Sequence, residues 1–194
     1  MMKKIIILIL FAVLAFPINA QFEKHEISGS YGLVTVDQIG DIIAEVLVSI
    51  FTLGNFETAD QNYTGAMYLT YNYAASYRWD IGVVAGIDMS NGNLMWDDEL
   101  EGTFMKNHTT LAVETNFRWV KKSFVELYTG IGVGYTFTKN TAEMLNGDSE
   151  SINSGHVTGQ LNALGIRVGK KFGVHTELGF GYQGILNFGF SYKF

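Results

Sequence analysis

Nine charged side chains and one histidine stand at alternating positions along the chain. Arg78, Arg118, Arg167 and Lys193 are the bases, Asp80, Asp88, Glu114, Glu126 and Glu177 the acids, and His175 lies among them. Two carboxylates held close together can share a proton and act as acid and base, and Glu126 with Glu177 is the pair in which that chemistry would be sought. Four bases against five acids nearly balance, however, and a buried charge must be paired or pay heavily for desolvation. The group therefore reads as an internal salt-bridge network, each carboxylate with a basic partner. The alternative reading makes the same residues the lining of a narrow polar path for protons or small solutes. The four histidines are scattered and cysteine is absent, so there is no metal-ligand spacing and no disulfide framework. No metal or cofactor is expected.

The elements that must hold these residues follow from period-2 alternation. In 78–89, Trp79, Ile81, Val83, Ala85, Ile87 and Met89 alternate with Arg78, Asp80, Gly82, Gly86 and Asp88. In 107–119, Leu111, Val113, Phe117 and Trp119 oppose Thr110, Glu114, Asn116 and Arg118; in 124–137, Val125, Leu127, Ile131, Val133, Tyr135 and Phe137 oppose Glu126 and three glycines. Further strands are predicted at 25–34, 62–73, about 156–168, 174–180 and 187–194, which makes eight. The parity of the sixth slips between Leu161 and Leu164, predicting a bulge near Asn162 and Ala163. Each is near the length of a tilted membrane-spanning strand. The connections 74–76, 120–123 and 169–172 are short, whereas 90–106 and 138–155 are long, polar and rich in Asn, Gly and Asp. Short turns on one side and long loops on the other are the layout of an outer-membrane barrel. Tyr73, Trp79, Trp119 and Phe194 fall where an interfacial aromatic girdle belongs.

Lys3 and Lys4, the apolar run IIILILFAVLAF at 5–16 and Ile18-Asn19-Ala20 have the layout of a secretory signal peptide cleaved after Ala20. Two segments result: 1–20 as signal and 21–194 as one barrel domain. Cleavage removes two lysines and leaves eleven basic against nineteen acidic side chains, a formal charge of −8, which makes nucleic acid an unsuitable partner. The 22 glycines, 14 phenylalanines and 10 tyrosines, with the single proline inside the signal, suit an uninterrupted strand ladder. Since no stretch after residue 20 has the length of a spanning helix, strands must do any spanning.

The chain ends NFGFSYKF. Phe188, Phe190, Tyr192 and Phe194 share one face, and Asn187, Gly189, Ser191 and Lys193 the other. With this ending, the chain resembles the small eight-stranded outer-membrane barrels of Gram-negative bacteria, the family of OmpX, OmpW and the OmpA membrane domain. Asn187, Gly189, Tyr192 and Phe194 fill the four places of their C-terminal assembly signal. The resemblance implies an all-β, antiparallel, up-and-down transmembrane barrel whose last strand is read by the outer-membrane insertion machinery. It also implies outer-membrane lipid and lipopolysaccharide as surroundings, and a monomer. A lipid A deacylase on this scaffold would use a His-x-Ser pair, but His108-Thr109-Thr110 and His156-Val157-Thr158 offer Thr instead. No catalytic residue is assigned.

One stretch departs from a plain barrel. In 35–54, Val36, Ile39, Ile43, Leu47 and Ile50 recur at helical spacing. Thr35 with Gln38 has capping-box form and Gly54 is placed to end a helix, while Asp37, Asp41 and Glu45 line another face as like charges. The spacing predicts a short amphipathic helix in the first extracellular loop, acting as cover of the mouth, as lid, or as interfacial helix in the outer leaflet; the β-prone run VLVSIF within it gives a strand extension as the alternative. The whole reads as a non-enzymatic outer-membrane protein with a structural or binding role through its surface loops. The alternative is a narrow channel or uptake route for small or apolar molecules, with a lipid A-modifying enzyme a distant third.

Overall fold

The computed structural model describes residues 23–52, 56–97 and 99–194. The expected signal peptide and its cleavage point, together with Gly54 and Asp98, lie outside the described residues. The elements run β1 (His25–Leu33), α1 (Val36–Phe51), β2 (Phe56–Tyr63), β3 (Ala66–Ala74), β4 (Trp79–Trp96), β5 (Glu99–Lys121), β6 (Val125–Met144), β7 (Ser149–Gly169), β8 (Phe172–Gly181) and β9 (Leu186–Lys193).

Every pairing is antiparallel. β1 pairs with β3, β3 with β4, and neighbours pair in turn through to β9, which returns to β1. The sheet is thus a closed ring with no edge at the level of β1. β2 and β3 both pair with β4, β2 along Ser90–Trp96 and β3 along Asp80–Ile87, so together they form one wall strand and the ring has eight. The break falls at Thr64-Gly65, where Gly65 has φ +73° and the Tyr31 ring occupies the space a Cβ would need. Tyr31 Oη donates to the Thr64 carbonyl at this point, holding the kink.

Alternation decides the two faces. Along β4 every second residue from Asp80 to Ser90 is buried, while Trp79, Ile81, Val83, Ala85, Ile87 and Met89 are exposed. The exposed parity carries the large apolar groups, the reverse of a water-soluble fold, and a closed barrel of this kind has lipid as its outer solvent. Among the described residues no helix is long and apolar enough to cross a membrane. Trp79, Trp119 and Tyr73 lie exposed at one rim, where Phe194 stacks on His25 with centroids 5.5 Å apart. The bulge is present: the β7–β8 register shifts between Asn162 and Leu164.

The expected long loops at 90–106 and 138–155 are corrected. β4 and β5 continue as a hairpin that turns beyond Trp96, and β6 and β7 continue to a turn at 145–148. Asn146 Oδ1 accepts from Asp148 N–H at 2.9 Å there, and Gly147 takes φ +91°. The Asn, Gly and Asp content reads as loop, but here each strand has a hydrogen-bonded neighbour on the ladder, so weak propensity is overridden. With 23 residues in β5, 20 in β6 and 21 in β7 against 9 in β1 and 8 in β9, a spanning strand of about 10 residues leaves half of the long strands outside the bilayer. The barrel is a ring with a tall wall on one side.

Candidate functional site

The lumen is built in layers by the inward parity of each strand. At the turn end, Arg118 of β5 is the hub. Its guanidinium meets Glu26 Oε2 at 2.9 Å, and also Asp80 and Glu126. Arg167 of β7 donates from Nε to Glu26 Oε1 at 2.8 Å and to Ser191 Oγ at 2.7 Å, and its remaining N–H groups go to the carbonyls of Gly169, Lys170 and Lys171 at 3.0 Å. Lys193 of β9 completes the cluster against Glu126 and lies 3.8 Å from Glu26. Asp80, Glu26 and Glu126 thus face Arg118, Arg167 and Lys193, a balanced set, each nine-tenths buried or more.

The middle layer is held by neutral donors. Glu177 accepts from Tyr128 Oη at 2.6 Å, Asn162 Nδ2 at 3.2 Å and Asn187 Nδ2 at 3.4 Å. Glu114 accepts from Asn116 Nδ2 at 3.4 Å and Gln183 Nε2 at 3.5 Å. Glu126 and Glu177, the carboxylates that could have shared a proton, therefore have separate sets of partners. The cavity lined by Glu114, Glu177 and half-buried His175 is about 20 Å³, room for about one water. Above it the short turn after β8 folds inward. Tyr182 is fully buried with its ring 5.8 Å from that of Tyr68, whose hydroxyl donates to the Tyr182 carbonyl at 2.5 Å.

The helix closes the top. Thr35 caps α1 by accepting from Gln38 N–H at 3.2 Å, and Gln38 Oε1 accepts from Thr35 N–H at 3.2 Å, the two bonds of a capping box. The same two side chains reach down to Asp88, Thr35 Oγ1 donating at 2.8 Å and Gln38 Nε2 at 3.1 Å. Further along, Asp37 meets His156 Nε2 at 2.9 Å, Asp41 meets Lys106 Nζ at 2.8 Å, and Glu45 takes a hydrogen bond from Gln61. Asp37 and Asp41, which would repel each other on an isolated helix, thus face basic side chains of the wall, and Glu45 an amide. Burial pushes the Asp37 carboxyl above its ordinary value, with His108 and His156 opposing. Burial acts the same way on Asp41, but hydrogen bonds from His108 and Lys106 outweigh it and hold that carboxyl below. Ile43, Leu47, Ile50 and Phe51 point away from the barrel, Phe51 being 84% exposed.

Of the charged residues singled out by alternation, Asp80, Arg118, Glu126, Arg167 and Lys193 stand together. Glu114, Glu177 and His175 occupy the next layer, and Asp88 anchors the helix. Arg78 does not join them: it is exposed in the turn before β4, where only its carbonyl engages the hub, accepting from Arg118 N–H at 2.8 Å. Its parity matches Asp80, but β4 begins one residue later. Glu26, which bridges both arginines, was missed, although the alternation of Glu26, Ser28 and Ser30 in the first strand carries the signal. Tyr182 and Gln183 had no periodic signal. In the last strand, Asn187 is buried in the lumen, Gly189 lies where a Cβ would strike the Gly29 carbonyl, and Tyr192 stacks outside between Phe172 at 4.6 Å and Phe194 at 5.9 Å. Among the described residues, no three His, Asp or Glu side chains converge to hold a metal.

No protein-family model matches the chain, and no curated protein matches it in sequence. Two solved structures of Ail, the attachment invasion locus protein of Yersinia pestis, are similar to it. The one in complex with the heparin analogue sucrose octasulfate has 14% identity and TM-score 0.48, covering 88% of this chain and 99% of that one. The other has 13% identity and TM-score 0.45, covering 88% and 97%. On its own closed antiparallel ring, apolar outer belt and ion-paired lumen, the chain has the architecture of a small eight-stranded outer-membrane β-barrel.

Proposed function

We propose that this chain is a non-enzymatic integral protein of the outer membrane, exported through a cleaved signal peptide, with a structural or binding role at the cell surface. The observation that carries this reading is the filled lumen beneath a tall wall. An eight-stranded barrel is about wide enough to be packed by its own side chains, and here Arg118 and its partners, then Tyr68 and Tyr182, then the α1 cap occupy successive levels. Investment in β-structure lies instead in the hairpins β4–β5 and β6–β7, which stand beyond the bilayer. Carboxylates committed to guanidinium, amide and phenol partners support the absence of catalysis. In this reading lipid and lipopolysaccharide surround a monomeric belt, and the insertion machinery reads Asn187, Gly189, Tyr192 and Phe194.

The test is conductance. The refolded protein in a planar bilayer, and a variant whose residues 36–53 are replaced by a short Gly/Ser linker, are both expected to be silent, since the tyrosine and ion-pair layers remain below the removed helix. Loop replacement costs little closure entropy, so the variant should stay heat-modifiable on gels. Steady single-channel currents from the variant would make α1 a gate and the protein a conduit.

A further inference from the structure

The end of the barrel opposite the tall hairpins carries the reverse of the chain's overall charge. The whole sequence has a formal charge of −6. Yet Lys24 before β1, Lys121 and Lys122 where β5 turns into β6, and Lys170 and Lys171 where β7 turns into β8 all line one open cavity of about 710 Å³. Glu126 and Lys193 of the ion-pair cluster also line it and form its floor, so the cavity is a bowl closed toward the lumen. Apart from that pair, Glu23 is the acidic side chain of the lining, and the main-chain carboxylate of Phe194 adds a second negative charge. Five ammonium groups thus stand against two carboxylates, and none of the five forms an ion pair among the described residues. Lys121 Nζ lies instead 5.5 Å from the centre of the Tyr77 ring.

The backbone under these lysines is fixed. The Lys24 carbonyl accepts from Ala74 N–H at 2.7 Å, and Lys122 N–H donates to the Val125 carbonyl at 3.0 Å. The Lys121 carbonyl accepts from Tyr77 Oη at 3.3 Å, which ties the β3–β4 turn to the β5–β6 turn, and the carbonyls of Lys170 and Lys171 take the Arg167 guanidinium at 3.0 Å. Like charges held around one concavity repel each other and focus a positive potential into it, which opposes stability and favours an anionic guest. We propose that the bowl binds a compact polyanion bearing several phosphate groups. An ammonium is a point charge with three donors and suits a phosphate approached from several sides; the lining holds no arginine fork to select a planar carboxylate. An excess of charge within about 710 Å³ matches phosphates, which carry several charges on few atoms, better than a chain of single carboxylates. The site lies at the far end from the surface hairpins and does not rest on the surface role.

Tripolyphosphate is titrated calorimetrically into the refolded full chain in phosphatidylcholine nanodiscs, with a hexaglutamate peptide as control. The expected result is saturable binding of tripolyphosphate that weakens as salt rises, with hexaglutamate clearly weaker. The double variant Lys170→Gln, Lys171→Gln should weaken it about tenfold or more, as for loss of a charged hydrogen bond. Lys122→Gln, on a different turn, should weaken it in the same direction. Lys139→Gln, exposed on β6 away from the bowl, should leave it unchanged, and all variants should keep the heat-modifiability of the parent. Absence of saturable binding in the parent, unchanged binding in the double variant and in Lys122→Gln, an equal loss in Lys139→Gln, or equally tight hexaglutamate overturns the proposal. Repeating the titration in discs containing phosphatidylglycerol assigns the source: competition marks a lipid phosphate as occupant, and an unchanged affinity marks a free polyanion. None of these outcomes depends on conductance, so this site and the surface role fail separately.

Discussion

Arg118 and Arg78 have the same side chain on the same parity, and their fates differ by position on the ring. Arg118 meets three carboxylates inside the lumen, whereas Arg78 sits one residue before its strand and is exposed. Breaking a buried pair leaves an uncompensated charge, at a cost of about 3–5 kcal/mol. Glu126→Gln, which leaves Lys193 and Arg118 short of a partner, is expected to lower the denaturant-unfolding stability of the refolded barrel by about that amount without opening conductance. Arg78→Ala should stay within about 0.5 kcal/mol of the parent, as an exposed substitution away from any network. A large loss in Arg78→Ala would place Arg78 in the network after all, and currents in Glu126→Gln with little loss of stability would show that the charges line a path. Alternation could place Asp80, Glu114 and Arg118 on one face because parity is a local property. Which of them would touch depended on register around the ring, and parity within single strands does not carry that.

Helix α1 inverts the usual rule for an amphipathic helix. Its polar line is inside, bound to Asp88, His156, Lys106 and Gln61, and its apolar stripe is outside. Thr35, Gln38 and the 3.6-residue repeat made the helix and its cap legible in the sequence. The face it would bury was not, because its partners come from β2, β4, β5 and β7. Its docking is expected to depend on acid. Asp41 titrates below the ordinary aspartate value, so its contribution is fully present above that value and is lost as pH falls through the lowered folded one. Asp37, raised, works the other way and is relieved as it protonates. A spin label at Ile50 should therefore become mobile only in strong acid, and in Asp41→Asn it should be mobile at every pH. Equal mobility of parent and variant at neutral pH would remove Asp41 from the docking. The long hairpins were read as loops for a related reason: polar strands standing in water show little apolar alternation, and only the neighbouring strand reveals them.

At the scale of the whole molecule, the ring closes between the strands farthest apart in sequence. His25 N–H donates to the Phe194 carbonyl at 3.1 Å and Phe194 N–H to the His25 carbonyl at 2.9 Å, so the ladder runs to the last residue. Deleting Phe194 should reduce outer-membrane insertion far more than Phe188→Leu, which keeps an apolar group toward lipid; similar insertion of the two would leave the terminal ring as belt surface only. The eight strands, their order and the closing pair were legible because lipid-facing alternation marks every strand; the unequal heights, and the tyrosine turn that plugs the lumen, depend on packing between distant segments. That closing seam also sets a clock. Glu26 faces Lys193 across it, a contact that cannot exist until the first and last strands have met. The lower ion-pair cluster, which draws on both, is therefore complete only when the ring is closed. Every earlier stage of assembly carries Arg118 and Arg167 without part of their counter-charge, in a sheet whose first and last edges are open. Open edges of that kind are templates for pairing with another chain, and the β1–β9 seam is what removes them.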